Sequence, residues 1–395
     1  MVQTAAPAAS GPAEPTPGGP AERARLLAAL TVLHTINDFY GLVLPPLLPA
    51  LREAFQLSYG QLGVVPFVGA AVSSLLQPTL GYAADRRRTR RLFMTCGFVG
   101  YALAMLCLGS AGSYPVVLLA AALLGVASST YHPQSATFLV HYFQANRGVA
   151  QGVHGLGNGF GFLLAPLAVS LLVPTLGWPN AVRLLALPAL LAALLAGSFL
   201  REPPFSGGEG FFAGVTRPVV VLTAVTGLGL AGSFGFLVWL PSYYAAQGFS
   251  LTQAGLLTSA MVAAGLAAQP AGGSLSDRFG RRAVILLSLV GAGAFQLLFL
   301  ASHLLPLVVA LSLLAGFFGS LLPPVAMVYA SELAAGGRTG TAVGVVWGLG
   351  ISLSSVAPLL SGAVIDRYGF VAAYLGLSVV ALAAAVLALR LPDEC

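Results

Sequence analysis

The chain has 395 residues, of which 57% are apolar and only 8% are charged. A soluble domain carries roughly 25% charged residues, and a disordered chain combines low hydrophobicity with high net charge; both classes are excluded, and a membrane protein with many spans remains. The net charge is +6, and all 18 basic residues are arginine; they fall in short polar connections, which reads as a topology signal and not as a nucleic-acid surface.

In chain order, residues 1–23 are rich in Pro, Ala and Gly, lack the basic start of a signal peptide, and read as a flexible cytoplasmic tail. Twelve apolar stretches follow, at about 24–50, 60–84, 92–111, 115–141, 148–173, 181–200, 218–246, 251–275, 283–301, 306–331, 340–363 and 370–391. A spanning helix needs about 20 residues, so the length suits twelve helices and leaves no room for a large soluble domain. Residues 24–200 form an N-terminal six-helix half, 201–217 a polar cytoplasmic linker, 218–391 a C-terminal six-helix half and 392–395 a tail. With the N-terminus in the cytoplasm, 15 arginines fall inside and three, Arg52, Arg183 and Arg367, fall outside. The positive-inside rule then puts both termini in the cytoplasm and requires an even number of spans. Cys96 and Cys107 lie in one apolar stretch and Cys395 ends the chain, which argues against a disulfide framework.

The chain repeats itself with an offset of 192 residues. Ser58, Gln61 and Gly63 recur as Ser250, Gln253 and Gly255. Gln77, Pro78, Gly81, Asp85 and Arg86 recur as Gln269, Pro270, Gly273, Asp277 and Arg278. Gly148, Gly152 and Pro166 recur as Gly340, Gly344 and Pro358. Two halves of even span number share one orientation, which predicts an axis along the membrane normal and a substrate path between the halves near the midplane.

The first span carries His34, Asn37 and Asp38, spaced i, i+3, i+4 and therefore on one face, with Tyr40 close by. Asp38 lies midway along its span, where a carboxylate costs roughly 2.5–3.5 kcal/mol on insertion scales. Taking a carboxylate out of water disfavours its charged form, which suits proton binding and release, and His34 one turn away is placed to share the proton. The alternative is a satisfied structural network that fixes helix packing. The fourth span carries His132, Pro133 and Gln134, where the proline is expected to break the helix. The fifth carries Gln151, His154 and Asn158 on one face. His132 and His154 both count to the cytoplasmic half of the membrane, and are placed to face each other across a cavity; packed, hydrogen-bonded histidines are the alternative. Tyr329 and Trp347 lie deep enough in their spans to line a substrate cavity, whereas Glu332 reads as solvated or paired with Arg338. His141 and His303 read as bland.

The most specific string runs from Gly273 through Asp277, Arg278, Gly280, Arg281 and Arg282. Its copy, Gly81, Asp85 and Arg86, has Arg88 in place of the second glycine. These strings, the twelve spans and the repeat resemble the major facilitator superfamily over residues 24–391. The resemblance implies the major facilitator fold, a gating role for the two Asp–Arg loops beyond their topological one, and glycine-rich fifth and eleventh spans along the interface between the halves. Within the superfamily, His34, Asn37 and Asp38, the Leu57–Gly63 and Leu75–Tyr82 strings, and His132-Pro133 resemble the fosmidomycin-resistance group, which implies proton-driven drug efflux. Gln134 stands where that group has a glutamate, and Thr137 replaces an arginine.

The expected function is secondary transport of a small organic molecule across the cytoplasmic membrane by alternating access, as proton-coupled efflux by a functional monomer. Proton-linked uptake and uniport use the same parts. An intramembrane enzyme is a remote alternative, since no compact ligand spacing supports it. No nucleotide site, cofactor, metal or nucleic-acid partner is expected; substrate, protons and the lipid bilayer are.

Overall fold

The computed structural model describes residues 19–202, 215–302, 304–335 and 339–393. The tail to residue 18, the middle of the 201–217 segment, His303, Arg338, the last two residues and the side chain of Asp85 lie outside the described residues. Among the described residues the regular structure is entirely helical. The N-terminal helices are α1 (Pro20–Gly41), α2 (Leu48–Phe55), α3 (Tyr59–Arg87), α4 (Arg90–Gly109), α5 (Tyr114–Ser128), α6 (His132–Tyr142), α7 (Arg147–Leu176), α8 (Trp178–Leu184) and α9 (Ala186–Phe199). The C-terminal helices are α10 (Arg217–Ala246), α11 (Leu251–Phe279), α12 (Arg281–Ala301), α13 (Leu305–Gly319), α14 (Leu322–Glu332), α15 (Thr339–Ser354) and α16 (Val356–Ala388).

Eleven described stretches are long and apolar enough to cross a membrane, against twelve expected. The first ten match the expected spans closely; α1 with α2, α5 with α6, α8 with α9, and α13 with α14 each make one stretch. The expected eleventh and twelfth spans fall in a single stretch, Thr341–Ala388. Its 48 residues would measure about 72 Å as one helix at 1.5 Å per residue, more than twice the ~30 Å bilayer core. The stretch is not one helix, because Gly369 inside α16 has non-helical angles (φ 80°, ψ 174°).

Left-handed backbone makes the repeat visible in three dimensions. Six described residues have positive φ: Gln56, Arg88, Gly177, Gly248, Gly280 and Gly369. They form three pairs separated by the 192-residue offset: Gln56 with Gly248, Arg88 with Gly280, and Gly177 with Gly369. The turn after α3 therefore closes although Arg88 replaces the glycine, at the cost of holding Arg88 at φ 53°. A left-handed non-glycine residue costs about 1–2 kcal/mol, partly offset by the greater unfolded-state entropy of glycine. Arg88→Gly is expected to raise stability by about 0.5–1 kcal/mol, read as a higher denaturation midpoint in detergent with an unchanged slope.

The core is shared unequally along the bundle. One continuous apolar cluster joins the N-terminal helices to Phe236, Trp239, Ala254, Phe299, Ile365 and Tyr374 of the C-terminal helices. Here a Cβ on Gly63 of α3 would collide with the Pro358 carbonyl of α16, and one on Gly255 of α11 would lie 3.0 Å from the Pro166 carbonyl of α7; the two contacts are repeat mates. Asp366 of α16 accepts from the backbone N–H groups of Tyr59 (2.8 Å) and Gly60 (2.7 Å) at the start of α3. The Tyr59 ring lies against Trp239 and Phe370. At the opposite end, which carries the arginine-rich turns, the C-terminal helices keep a separate cluster around Leu222, Ile285, Val325, Tyr329 and Val346. On α7, a Cβ at Gly148, Gly152 or Gly155 would meet open space, as it would at Gly344 and Gly348 of α15. The bundle is closed at the Asp366 end and parted at the arginine end.

Candidate functional site

The site is centred on α1. Gly157 and Gly161 of α7 let the two backbones touch: a Cβ on Gly157 would lie 2.6 Å from the Thr31 carbonyl, and one on Gly161 would collide with the Thr35 carbonyl. That approach brings two residues of α7, four apart, against two residues of α1, four apart. His34 Nδ1 bonds to the His154 carbonyl at 2.8 Å, and Asn158 Nδ2 donates to Asp38 Oδ2 at 2.5 Å. Along the glycine-rich α7, Gly157 and Gly161 pack against α1, while Gly148, Gly152 and Gly155 stand clear.

Asp38 is 4% exposed yet well surrounded. Asn37 Nδ2 donates to its Oδ1 at 2.6 Å, His34 Nε2 lies 3.1 Å from its Oδ2, and His132 Nε2 lies 3.6 Å from its Oδ1. The Tyr101 hydroxyl of α4 donates to Asn37 Oδ1 at 2.9 Å, which turns the Asn37 amide nitrogen toward the carboxylate. That nitrogen also lies 3.3 Å from His132 Nε2. An amide nitrogen only donates, so His132 Nε2 accepts and its proton sits on Nδ1.

A similar count fixes the other rings. A carbonyl only accepts, so His34 Nδ1 carries a proton toward His154. The Tyr131 hydroxyl donates to the Leu30 carbonyl (2.7 Å), so at 3.0 Å it accepts from His154 Nε2. His34 stacks on His154 with centroids 4.1 Å apart and meets His132 edge-on at 5.5 Å. His132 and His154 therefore flank His34 and do not face each other across a cavity. The His132 side chain is 33% exposed, against 9% for His34 and 6% for Asp38. The helix break lies at Ser129–Tyr131, ahead of Pro133, because proline is tolerated in the first turn of α6.

The structure thus brings together His34, Asn37, Asp38, His132, His154 and Asn158. The other nominated residues lie elsewhere. The Tyr40 hydroxyl donates to the Leu185 carbonyl, and its ring stacks on Tyr101 at 4.5 Å. Gln134 is fully buried, and neither amide atom has a partner among the described residues. Gln151 is exposed on α7. Trp347 is half-buried on α15 beside Gly348. Tyr329 sits in the C-terminal core and donates to the Pro392 carbonyl at 2.6 Å. Tyr329→Phe is expected to cost about 0.5–1.5 kcal/mol of stability and to leave transport rates unchanged, as measured by flux in proteoliposomes. Tyr101 and Tyr131 were missed by the sequence reading. The available signal was a tyrosine inside an apolar span, whose hydroxyl needs a partner when buried.

At the arginine end, Asp277 lies in the last turn of α11 and not at the start of the following helix. Arg281 bridges it to Glu332 of α14, with Nη2 3.0 Å from Glu332 Oε1; Arg338 was the expected partner. Arg278 lies over the Phe279 ring. Gly273 faces open space, Gly280 makes the left-handed turn, and Gly81 abuts Pro133. Arg86 donates to the Tyr82 hydroxyl. Arg90 pairs with Glu202, and its repeat mate Arg282 pairs with Asp393. Among the described residues, every ion pair at this end stays within the N-terminal or within the C-terminal helices. Glu22 pairs with Arg201, so the first and last described residues lie at this same end.

The family model of the Major Facilitator Superfamily matches residues 27–250 and 222–394. The chain belongs to this superfamily. A superfamily member with this helical content is a multi-pass membrane transporter. The fosmidomycin resistance protein of Escherichia coli (strain K12) is 28% identical over 356 residues, covering 87% of this chain and 86% of that protein. The uncharacterized MFS-type transporter YfnC of Bacillus subtilis (strain 168) is 27% identical over 390 residues, or 93% of each chain. Among solved structures, a bacterial homolog of the human lysosomal transporter Spinster, inward-facing and occupied, superposes with a TM-score of 0.85 at 16% identity, covering 96% of this chain and 99% of that one. At that identity the likeness shows the fold alone.

Proposed function

We propose that this superfamily transporter is a proton-coupled efflux carrier for a small organic molecule, with Asp38 and His34 as its proton site. The observation that carries this reading is the hydrogen-bond count at His34. Its Nδ1 proton is committed to the His154 carbonyl. Its Nε2 lies 3.1 Å from a carboxylate oxygen, and two bare lone pairs repel at that distance. One proton therefore sits between His34 and Asp38. It is shared by a buried imidazole–carboxylate pair, which suits a carrier that must take up and release it.

The rest of the molecule supports a rocking cycle. Two six-helix halves, 24–200 and 218–391, meet at the Asp366 end and part at the arginine end. With Gly177 and Gly369 as equivalent turns, the Thr341–Ala388 stretch makes two crossings and the total is twelve. The positive-inside rule assigns the parted end, where both described chain ends lie, to the cytoplasm, so this state is inward-open. Its His132 ring then gives the proton site access to the cytoplasmic side. The efflux direction rests on the resemblance to the fosmidomycin resistance protein. With Gln134 uncharged, the cargo is less anionic than a phosphonate. The test is a screen of candidate compounds on the purified chain in vesicles loaded with a pH dye. A cargo whose movement is accompanied by opposing proton movement, and whose accumulation collapses with an uncoupler, supports the reading; cargo flux without proton movement overturns it.

A further inference from the structure

The cluster at Asp38 has the donor set of a metal centre as well as of a proton site. His34 Nε2, His132 Nε2 and an Asp38 carboxylate oxygen all lie within 4.8 Å of one another. His34 Nε2 faces Asp38 Oδ2, and His132 Nε2, whose lone pair accepts from the Asn37 amide, lies beside Oδ1. Outer contacts of the kind that orient metal ligands are already in place. The Nδ1 of His34 is tied to the His154 carbonyl, and Asp38 is held by Asn37 and Asn158. His34 Nε2 lies 3.1 Å from Asp38 Oδ2 and His132 Nε2 lies 3.6 Å from Oδ1 of the same carboxylate, close enough for ligands that each sit about 2.0–2.2 Å from one zinc ion. Two imidazoles and one carboxylate leave a fourth position open on the His132 side, where the cluster is reached from outside.

We infer that His34, Asp38 and His132 form a binding site for one divalent transition-metal ion of the zinc class. Imidazole and carboxylate ligands suit zinc and disfavour soft monovalent ions, and a bound ion would tie α1 to α6.

The test uses the purified full-length chain in detergent, stripped with chelator and titrated with zinc chloride alone by equilibrium dialysis. One equivalent is expected to bind. His132→Asn, the substitution at the most open ring, should weaken binding at least 10-fold, and Asp38→Asn should do the same. A chain lacking His141 and His303 should bind like the parent. Cobalt(II) titration provides a second reading that does not depend on affinity, namely the visible bands of a low-symmetry four-coordinate ion, lost in His132→Asn. Absence of a stoichiometric site, or unchanged affinity and bands in both variants, overturns the inference. Binding is measured without any gradient. Zinc binding in a chain that moves no protons sinks only the coupling reading, and coupling without zinc binding sinks only this one.

Discussion

Asp38→Asn is expected to leave the protein folded and to reduce gradient-driven transport to the passive background. Asparagine keeps the shape of the side chain, and its carbonyl oxygen can still accept from Asn158 or Asn37. His34 stays neutral, with its Nε2 lone pair now facing an amide. The proton that sat between residues 34 and 38 is then absent from every state of the cycle, so a pH gradient has no differential grip on the two conformations. A ligand or ion that binds two states equally shifts neither. Counterflow, which needs only alternating access, should survive. Unchanged gradient-driven accumulation in Asp38→Asn would remove the coupling role. Asp38→Ala provides the contrast: it strands the donors of Asn37, Asn158 and His34 in a buried site. Each stranded donor costs about 1–3 kcal/mol, so this variant should lose stability as well as coupling.

Asp366→Ala is expected to open the end of the molecule that is closed here. Its carboxylate accepts from the N–H groups of Tyr59 and Gly60, two of the orphan donors at the start of α3, and sits at the positive end of that helix. The contact joins α16 to α3, so it exists only while the halves meet at this end. Its loss should disfavour the closed form by about 1–2 kcal/mol, or roughly 5–30-fold in population. The readout is alkylation of a cysteine placed at Ile365, which is 4% exposed, by a membrane-impermeant reagent in a background free of native cysteines. A rate equal to that of the Asp366-containing chain would show that the apolar contacts of Tyr59, Trp239 and Phe370 hold this end without the carboxylate.

The spans were legible because their signal is local. A stretch of about 20 apolar residues between arginines announces itself without reference to the rest of the fold. The 192-residue offset was also local information, and it foretold more than motif positions: the left-handed turns at Gln56, Arg88 and Gly177 recur at Gly248, Gly280 and Gly369. Arg88 shows the limit of residue-by-residue reading. The turn is imposed by helices on both sides of it, so it forms with an unfavourable residue. The Asp38 face was legible from i, i+3, i+4 spacing, since helical neighbours are fixed by periodicity.

Pairing between helices was not legible. His34 was matched correctly to Asp38, on the same helix, but nothing local says that His154 presents its carbonyl to the His34 ring, or that Tyr101 orients Asn37. Those contacts depend on how deeply α7 sinks against α1, which Gly157 and Gly161 decide. Tyr329 looked like a cavity residue by depth alone; its direction around the helix axis turns its hydroxyl to Pro392. Glu332 reads in sequence as solvated or paired with Arg338, and the structure pairs it with Arg281, 51 residues away. By itself, the sequence determined that this is a membrane transporter with an internal repeat and one charge misplaced in mid-span, because burial, period and charge are properties of short segments. Only the tertiary structure decided which groups surround that charge and which end of the bundle is closed, because each depends on side chains that meet across more than 50 residues of chain.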